Sequence, residues 1–447
     1  MVRSENNSHH DTTNREEIDS LYGESLVVSK NVVQRKSLAD VEGNTIDEQL
    51  DNLTPKSKEL EAWGEFDLDK MLFTKCPTSF HREALDQLLV ALDKHNVDDV
   101  VLQSDEKIFA KLGSDYYAVS TRAITFSEIS SILASIHRDS TPGKVRSGQY
   151  QRFSYSVPYQ EKEDGPVCHV RFRVDATACQ GLRGSQDGID ITMRCMDAFP
   201  KTMDELNVPT GIRDLAFPEA GIILVTGETG SGKTTLLGAI MRFWATTPKG
   251  RRIIAYNDPI EYDYRAIPGR TGSIAQTEVG EMIADFSHAV PNAMRRNPCI
   301  IELGEVSEQV GIKNVIVAAQ TGHRVYTTVH TESVAITLSR MVEPFSQEEQ
   351  AGKIRALIST TRGIVHQRLL DAKDGGRVPV QEWLQIGPAE RKELYSSEPS
   401  DLVEVLQNLV ETRGRSLLQD LESKKHLIEE EAYFVTKQEL VGRGEDK

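Results

Sequence analysis

The 447-residue chain contains no apolar run near the roughly 18 residues needed to cross a bilayer, and its N-terminus, MVRSENNSHHDTTNREE, lacks the apolar core of a secretory signal. A cytoplasmic protein is therefore expected, with membrane contact only through partners. Its five cysteines, at 76, 168, 179, 195 and 299, include no CxxC pair, which argues against a zinc ribbon or a disulfide framework and suits a reducing compartment. Basic side chains are outnumbered, 52 Lys and Arg against 68 Asp and Glu, for a formal charge of −16, and only 6% of residues are aromatic. That balance repels free nucleic acid and anionic lipid, so no direct nucleic-acid partner is expected. The length suggests roughly two to four folding units.

Residues 1–60 hold 12 acidic and 7 basic residues among many Ser, Asn and Thr. This composition offers too little apolar surface to offset chain entropy, so residues 1–62 are expected to be a disordered arm. From Trp63 to residue 199 the pattern is a small α+β domain. HREALDQLLVALDKHNV is apolar at helical spacing, DVVLQ and IFAKLG read as strands, and TFSEISSILASIHRD opens with a Thr-x-x-Glu capping box. RFSYSVPY, VCHVRFRVDAT and IDITMRCM alternate as strands with one wet face do.

Prolines bracket residues 200–209, the expected interdomain linker, whose apolar residues are Met203, Leu206 and Val208. Over 210–390, near-continuous apolar strands (GIILVTG, RIIAYND, CIIELGE, RVYTTVH) alternate with helical segments, the signature of a parallel sheet covered on both faces. Residues from about 350 are expected to add helices and one more strand, with 391–447 helical.

The strongest local signal is Gly227-Glu-Thr229-Gly230-Ser231-Gly232-Lys233-Thr234, followed by Thr235, which satisfies GxxxxGK[ST] between an apolar strand and a helix. Its glycines let successive N–H groups point inward, and the helix N-terminus adds its positive dipole end. A phosphate cradle is expected in which Lys233 would bridge the β and γ phosphates of a nucleotide and the Thr234 hydroxyl would take a place on Mg²⁺. The loop alone does not say what hydrolysis drives. The strand CIIEL ends in Gly304-Glu305, setting a carboxylate at the strand edge where nucleotide lies, suited to orienting Mg²⁺ or accepting a proton from water. Asp258, Glu261 and Asp263 surround Pro259, and His323 and His330 flank VYTTV, from where they can report γ-phosphate state by hydrogen bonding.

GETGSGKTT, DPIEY, GEV and TGHRVYTTVHT, in that order, resemble the Walker A loop, aspartate box, Walker B and histidine box of type II and type IV secretion ATPases. RFRVDA, TMDELNVP, SRMVEPF, QRLL and GGRVPVQEWL extend the resemblance, which covers about residues 80–440, to the pilus-retraction (PilT-like) branch. The acidic arm and the YTTVHT spelling resemble the type IVB secretion and conjugation (DotB/TraJ) group. The resemblance implies a RecA-like ATPase domain preceded by a PAS-like domain, assembled as a homo-hexamer with ATP between subunits. It implies catalytic roles for Glu305, Asp258, Glu261 and His330, with Arg183 and Arg194 of the first domain reaching the phosphates. Arg171 and Arg173 read equally well as a solvated strand face, and Arg295 and Arg296 are further candidates for charge neutralisation across an interface. The implied work is powering a secretion, conjugation or pilus apparatus with inner-membrane components as partners. The alternatives are a nucleotide-bound structural ring with little turnover and a pilus-retraction motor.

Three departures stand out, one of them EVSE after the Walker B strand where the family has EMRD or EARD. Asn257 occupies the place before Asp-Pro where the family usually has glutamate; an amide can position water but cannot accept its proton. Glu302 lies in the Walker B strand where an apolar residue is usual, and a carboxylate there is expected to find an arginine or a subunit boundary.

Overall fold

The computed structural model describes residues 63–67, 72–113, 115–160, 168–181, 184, 188–398 and 400–442, all within one compact unit spanning Thr54–Lys447. The arm expected over 1–62, Arg183 and residues 443–447 lie outside the described residues.

The first domain opens with the short pair β1 (Phe66–Asp67) and β2 (Leu72–Phe73), then α1 (Arg82–Asp93), β3 (Asp99–Gln103), β4 (Glu106–Leu112) and β5 (Asp115–Ile124). Helices α2 (Phe126–Ile136) and α3 (Thr141–Arg146) lead into β6 (Gln151–Tyr159), β7 (Cys168–Cys179) and β8 (Gly188–Met196). β3 to β8 form an antiparallel six-stranded sheet in the order β5-β4-β3-β8-β7-β6. Alternate residues of β6, β7 and β8, among them Phe153, Phe172, Val174 and Ile191, share a core with α1 and α2. Leu85, Leu88, Leu89 and Leu92 of α1 are wholly buried there, each contributing about 2 kcal/mol of apolar transfer. The Thr125–Glu128 capping box forms as its spacing requires, with the Glu128 N–H donating to Thr125 Oγ1 and the Thr125 N–H donating to Glu128 Oε2. β5 carries mixed side chains and little sequence signal, and it is a ten-residue edge strand.

The second domain runs α4 (Thr210–Leu215), β9 (Gly221–Thr226), α5 (Lys233–Thr246), β10 (Ile253–Asn257), a 3₁₀ turn (Tyr264–Ala266), β11 (Ile274–Glu278) and α6 (Phe286–Met294). It continues with β12 (Ile300–Leu303), α7 (Gln309–Gln320), β13 (Arg324–Val329), α8 (Val334–Val342), α9 (Gln347–Thr360), β14 (Thr361–Asp371) and β15 (Arg377–Gln385). Four helices close the chain: α10 (Pro388–Ser396), α11 (Leu402–Arg413), α12 (Leu417–Lys424) and α13 (Glu430–Gly442). The seven-stranded sheet has the order β11-β10-β12-β13-β9-β14-β15, parallel except for β15. Ile222, Leu224, Ile254 and Ile301 face one core, and Ile223, Val225, Ile253 and Ile300 face the other, beneath α5. This is the RecA-like α/β sheet, and its two cores explain why the strands read apolar at every position. Met203 and Val208 of the 200–209 stretch are buried in the core beneath α5. The region after residue 350 contributes two strands rather than the one expected, because α9 passes directly into β14 at Thr361 and β14 turns back as β15. Among the described residues no helix is long and apolar enough to cross a membrane.

Candidate functional site

Parallel strands of one sheet bring their following loops to one edge. The loops after β9, β10, β12 and β13 therefore converge, carrying Gly227–Thr234, Asp258–Glu261, Gly304–Glu305 and His330. Gly227 and Gly232 hold positive φ values of 144° and 84°, and Gly232 directly precedes α5. A Cβ on Gly227 would overlap the Gln367 carbonyl, and one on Gly232 would stand 2.6 Å from Gln367 Nε2, so the curl requires glycine at both places. Lys233 is buried and its Nζ donates to the carbonyls of Gly227 and Glu228 at 2.9 and 2.7 Å. Burial lowers its pKa below the ordinary lysine value, while the charges of Glu305, Glu228 and Glu261 pull the other way. Ser231 Oγ is buried in the loop without a hydrogen-bond partner. An inward-facing hydroxyl, a coiled backbone and a lysine held only by loop carbonyls suit a polyphosphate.

Glu305 and His330 stand together at this edge, 3.7 Å apart and about half exposed. Burial raises the Asp258 carboxyl above its usual range; Arg152 opposes that and Glu305 adds to it. Thr234 and Glu305 are the residues that would hold Mg²⁺, and no cluster of three or more His, Cys, Asp or Glu side chains suited to a metal occurs among the described residues. One hydroxyl and one carboxylate suit a metal that arrives with substrate phosphates rather than one caged by protein.

His323 is not brought to the loop. It precedes β13, whose Arg324 pairs with Gly221 at the start of β9, and the Gly221 N–H donates to the His323 carbonyl. The length of β9 then separates it from the loop edge by roughly 17 Å. Arg295 and Arg296 likewise lie just ahead of β12, on the far edge. Arg194 pairs with Asp99 in the neighbouring strand, Nε to Oδ1 at 2.8 Å, its side chain half exposed. Arg171 and Arg173 are not a solvated face. Arg171 is 7% exposed and donates to the Ile260 carbonyl at 3.4 Å; Arg173 pairs with Glu261 at 3.4 Å; Ser154 Oγ donates to Glu278 at 3.0 Å. The polar face of β6 and β7 is thus packed on the loops that follow β10 and on β11.

Among the described residues Glu302 has no arginine partner. It is wholly buried, and its Oε1 accepts from Tyr264 Oη at 2.8 Å and from Asn257 Nδ2 at 3.2 Å. Burial pushes its pKa to about 7, and both hydrogen bonds restrain the rise. The folded state therefore favours the neutral acid. Relative to the chain's ordinary value of 4.5, ionisation costs nothing below that pH, costs progressively more up to about 7, and costs a constant amount above. Glu302→Gln, which cannot ionise, is expected to gain stability relative to wild type across this window, by about 3 kcal/mol at the alkaline end. Thermal unfolding at about pH 5 and about pH 8 checks it; a difference that does not widen with pH contradicts it.

Sequence reasoning missed Gln367. Its Nε2 donates to the Ser231 carbonyl and its Oε1 accepts from Gln381 Nε2 at 2.7 Å, so β14 and β15 buttress the loop from behind. The QRLL stretch marks its position but not its role, because its partner is 136 residues away.

A glycine-rich loop between strand and helix at the carboxyl edge of a RecA-like sheet defines a P-loop nucleotide-binding protein. Type II/IV secretion system protein, as a family, matches residues 210–377. The chain is 31% identical to the X-ray structure of the Legionella pneumophila ATPase DotB, covering 80% of this chain and 96% of that one with a TM-score of 0.73. It is 32% identical to the uncharacterized protein YggR of Escherichia coli over 53% of this chain and 72% of that protein. It is 27% identical to the type IV pilus retraction ATPase PilT of Pseudomonas aeruginosa over 72% of this chain and 88% of that protein. The chain belongs to the type II/IV secretion system ATPase family.

Proposed function

We propose that the chain hydrolyses ATP with Mg²⁺ as a homo-hexameric motor that powers a type IV secretion or conjugation apparatus, the type IVB class being the one it resembles. The carrying observation is the shared edge: a buried Lys233 held by loop carbonyls, with Glu305 and Glu261 close enough to act on its charge. In this reading Lys233 and the loop N–H groups bind the phosphates, and Thr234 and Glu305 hold Mg²⁺, which supplies charge neutralisation at the phosphate oxygens. Glu305 orients and deprotonates water, with His330 beside it. The loop after β10 is gripped by Arg171 and Arg173, so a change at Asp258–Glu261 moves the first domain with it. Arg194 serves a neighbouring subunit's nucleotide, for which its half-exposed position is suited. Cytoplasmic placement against the inner membrane through partner proteins completes the reading.

The test is steady-state phosphate release by the purified chain with and without Mg²⁺. Turnover that disappears with chelator supports the reading. Nucleotide binding without turnover would leave the structural-ring alternative.

A further inference from the structure

At the end of β10 the side chain of Asn257 is buried, 8% exposed, and its Oδ1 has no hydrogen-bond partner. The alternation of β10 sends Ile253 and Ala255 into the core beneath α5, so Asn257 shares their face, the side on which the phosphate loop's helix lies. By the same alternation Glu302 follows Ile300 to that face. The Gly304 N–H donates to the Tyr256 carbonyl at 2.7 Å, and a Cβ on Gly304 would stand 3.4 Å from Asn257 Nδ2. The Asn257 amide is therefore seated against the turn that delivers Glu305.

An amide has two unlike ends, and something must decide which end faces the site. Glu302 Oε1 accepts from Asn257 Nδ2, and the same oxygen is fixed by Tyr264 Oη. With Nδ2 committed, Oδ1 is the end left to accept.

We propose that Glu302 and Tyr264 are positioning residues that hold the Asn257 amide with Oδ1 toward the nucleotide edge, where it accepts a hydrogen bond from the attacking water beside Glu305. This rests on the ATPase reading above. The proton leaves to Glu305 and not to the amide, which cannot take it. When Glu302 carries a proton, its O–H can donate to Oδ1, the amide turns, and Nδ2 faces the water instead, a donor where an acceptor is needed. The groups facing Glu302 are Asn257 from β10, Tyr264 from the loop after it, and Tyr326 from β13, whose hydroxyl is bonded away to Trp244 and Ala216. Among the described residues no charged side chain acts on it. The arrangement also explains why an asparagine and a buried glutamate occur together. A glutamate at 257 would set two carboxylates at hydrogen-bond distance out of water.

The experiment is Mg²⁺-ATP phosphate release, measured with Lys233→Ala as the background, for wild type, Asn257→Ala, Glu302→Leu, their double variant and Glu302→Gln. Each single truncation is expected to lower kcat about tenfold with the KM for ATP within about twofold, and the double variant to lower it about tenfold rather than a hundredfold. Glu302→Gln, whose amide pairs an acceptor with a donor as the protonated acid does, is expected to show at every pH the low rate that wild type reaches as pH falls below about 7. Multiplying losses, or a wild-type pH profile that Glu302→Gln leaves unchanged, would overturn the proposal while turnover dependent on Lys233 kept the ATPase reading intact. Should Glu302→Leu not fold, the Glu302→Gln profile decides. Wild-type release no greater than that of Lys233→Ala would overturn both.

Discussion

Lys233→Ala is expected to bring phosphate release to background, a loss of at least about a hundredfold, with folding preserved. The ammonium is buried at the start of α5 and, among the described residues, donates to the carbonyls of Gly227 and Glu228, from where it is poised to move to a phosphate. Its first-turn position tolerates alanine as a helix residue. The same loss should appear in nucleotide binding, because a polyphosphate in that cradle then lacks its point charge. Phosphate release and a fluorescent-nucleotide titration, with circular dichroism to verify the fold, check it. Turnover within about threefold of wild type would remove the loop from the chemistry.

Glu305→Gln is expected to cut turnover about a hundredfold or more while nucleotide binding holds or tightens, because the amide keeps the shape and loses the base. Of the other carboxylates nearby, Glu261, Asp258 and Glu302 are rivals for the base role, and the geometry ranks them behind Glu305. Glu261 is engaged by Arg173, Asp258 is pushed toward its neutral form by burial, and Glu302 is sealed beneath α5. Glu305 alone among them combines half exposure, a place at the end of β12 and an electrostatic pull on Lys233. An unchanged rate in Glu305→Gln would transfer the base to Asp258.

What the sequence made legible follows from locality. The phosphate loop is a consecutive run whose glycines dictate their own backbone, and the buried strands are consecutive apolar runs, so both are readable in one dimension. The capping box at Thr125 is local in the same sense. Glu302 is the contrary case: its type and strand were readable, but its partners are 38 and 45 residues away, and hydrogen bonds from Tyr264 and Asn257 take the place of the expected arginine while burial raises its pKa. His323 and His330 both flank one strand, yet only the direction of a parallel strand tells which end meets nucleotide, and it separates them. The polar faces of β6 and β7 looked like solvated surface because alternation records that a face is not apolar core, not what covers it. β11, with its intermediate burial and polar residues, gave no apolar run to read at all.

The proposed motor turns over ATP as an assembled ring whose sites are completed between subunits. This is tested most directly by measuring specific phosphate-release activity across a dilution series while light scattering reports mass in the same samples. Specific activity is expected to fall in step with loss of the proposed hexamer and to return on reconcentration. Undiminished activity from protein that scatters as a monomer would contradict it.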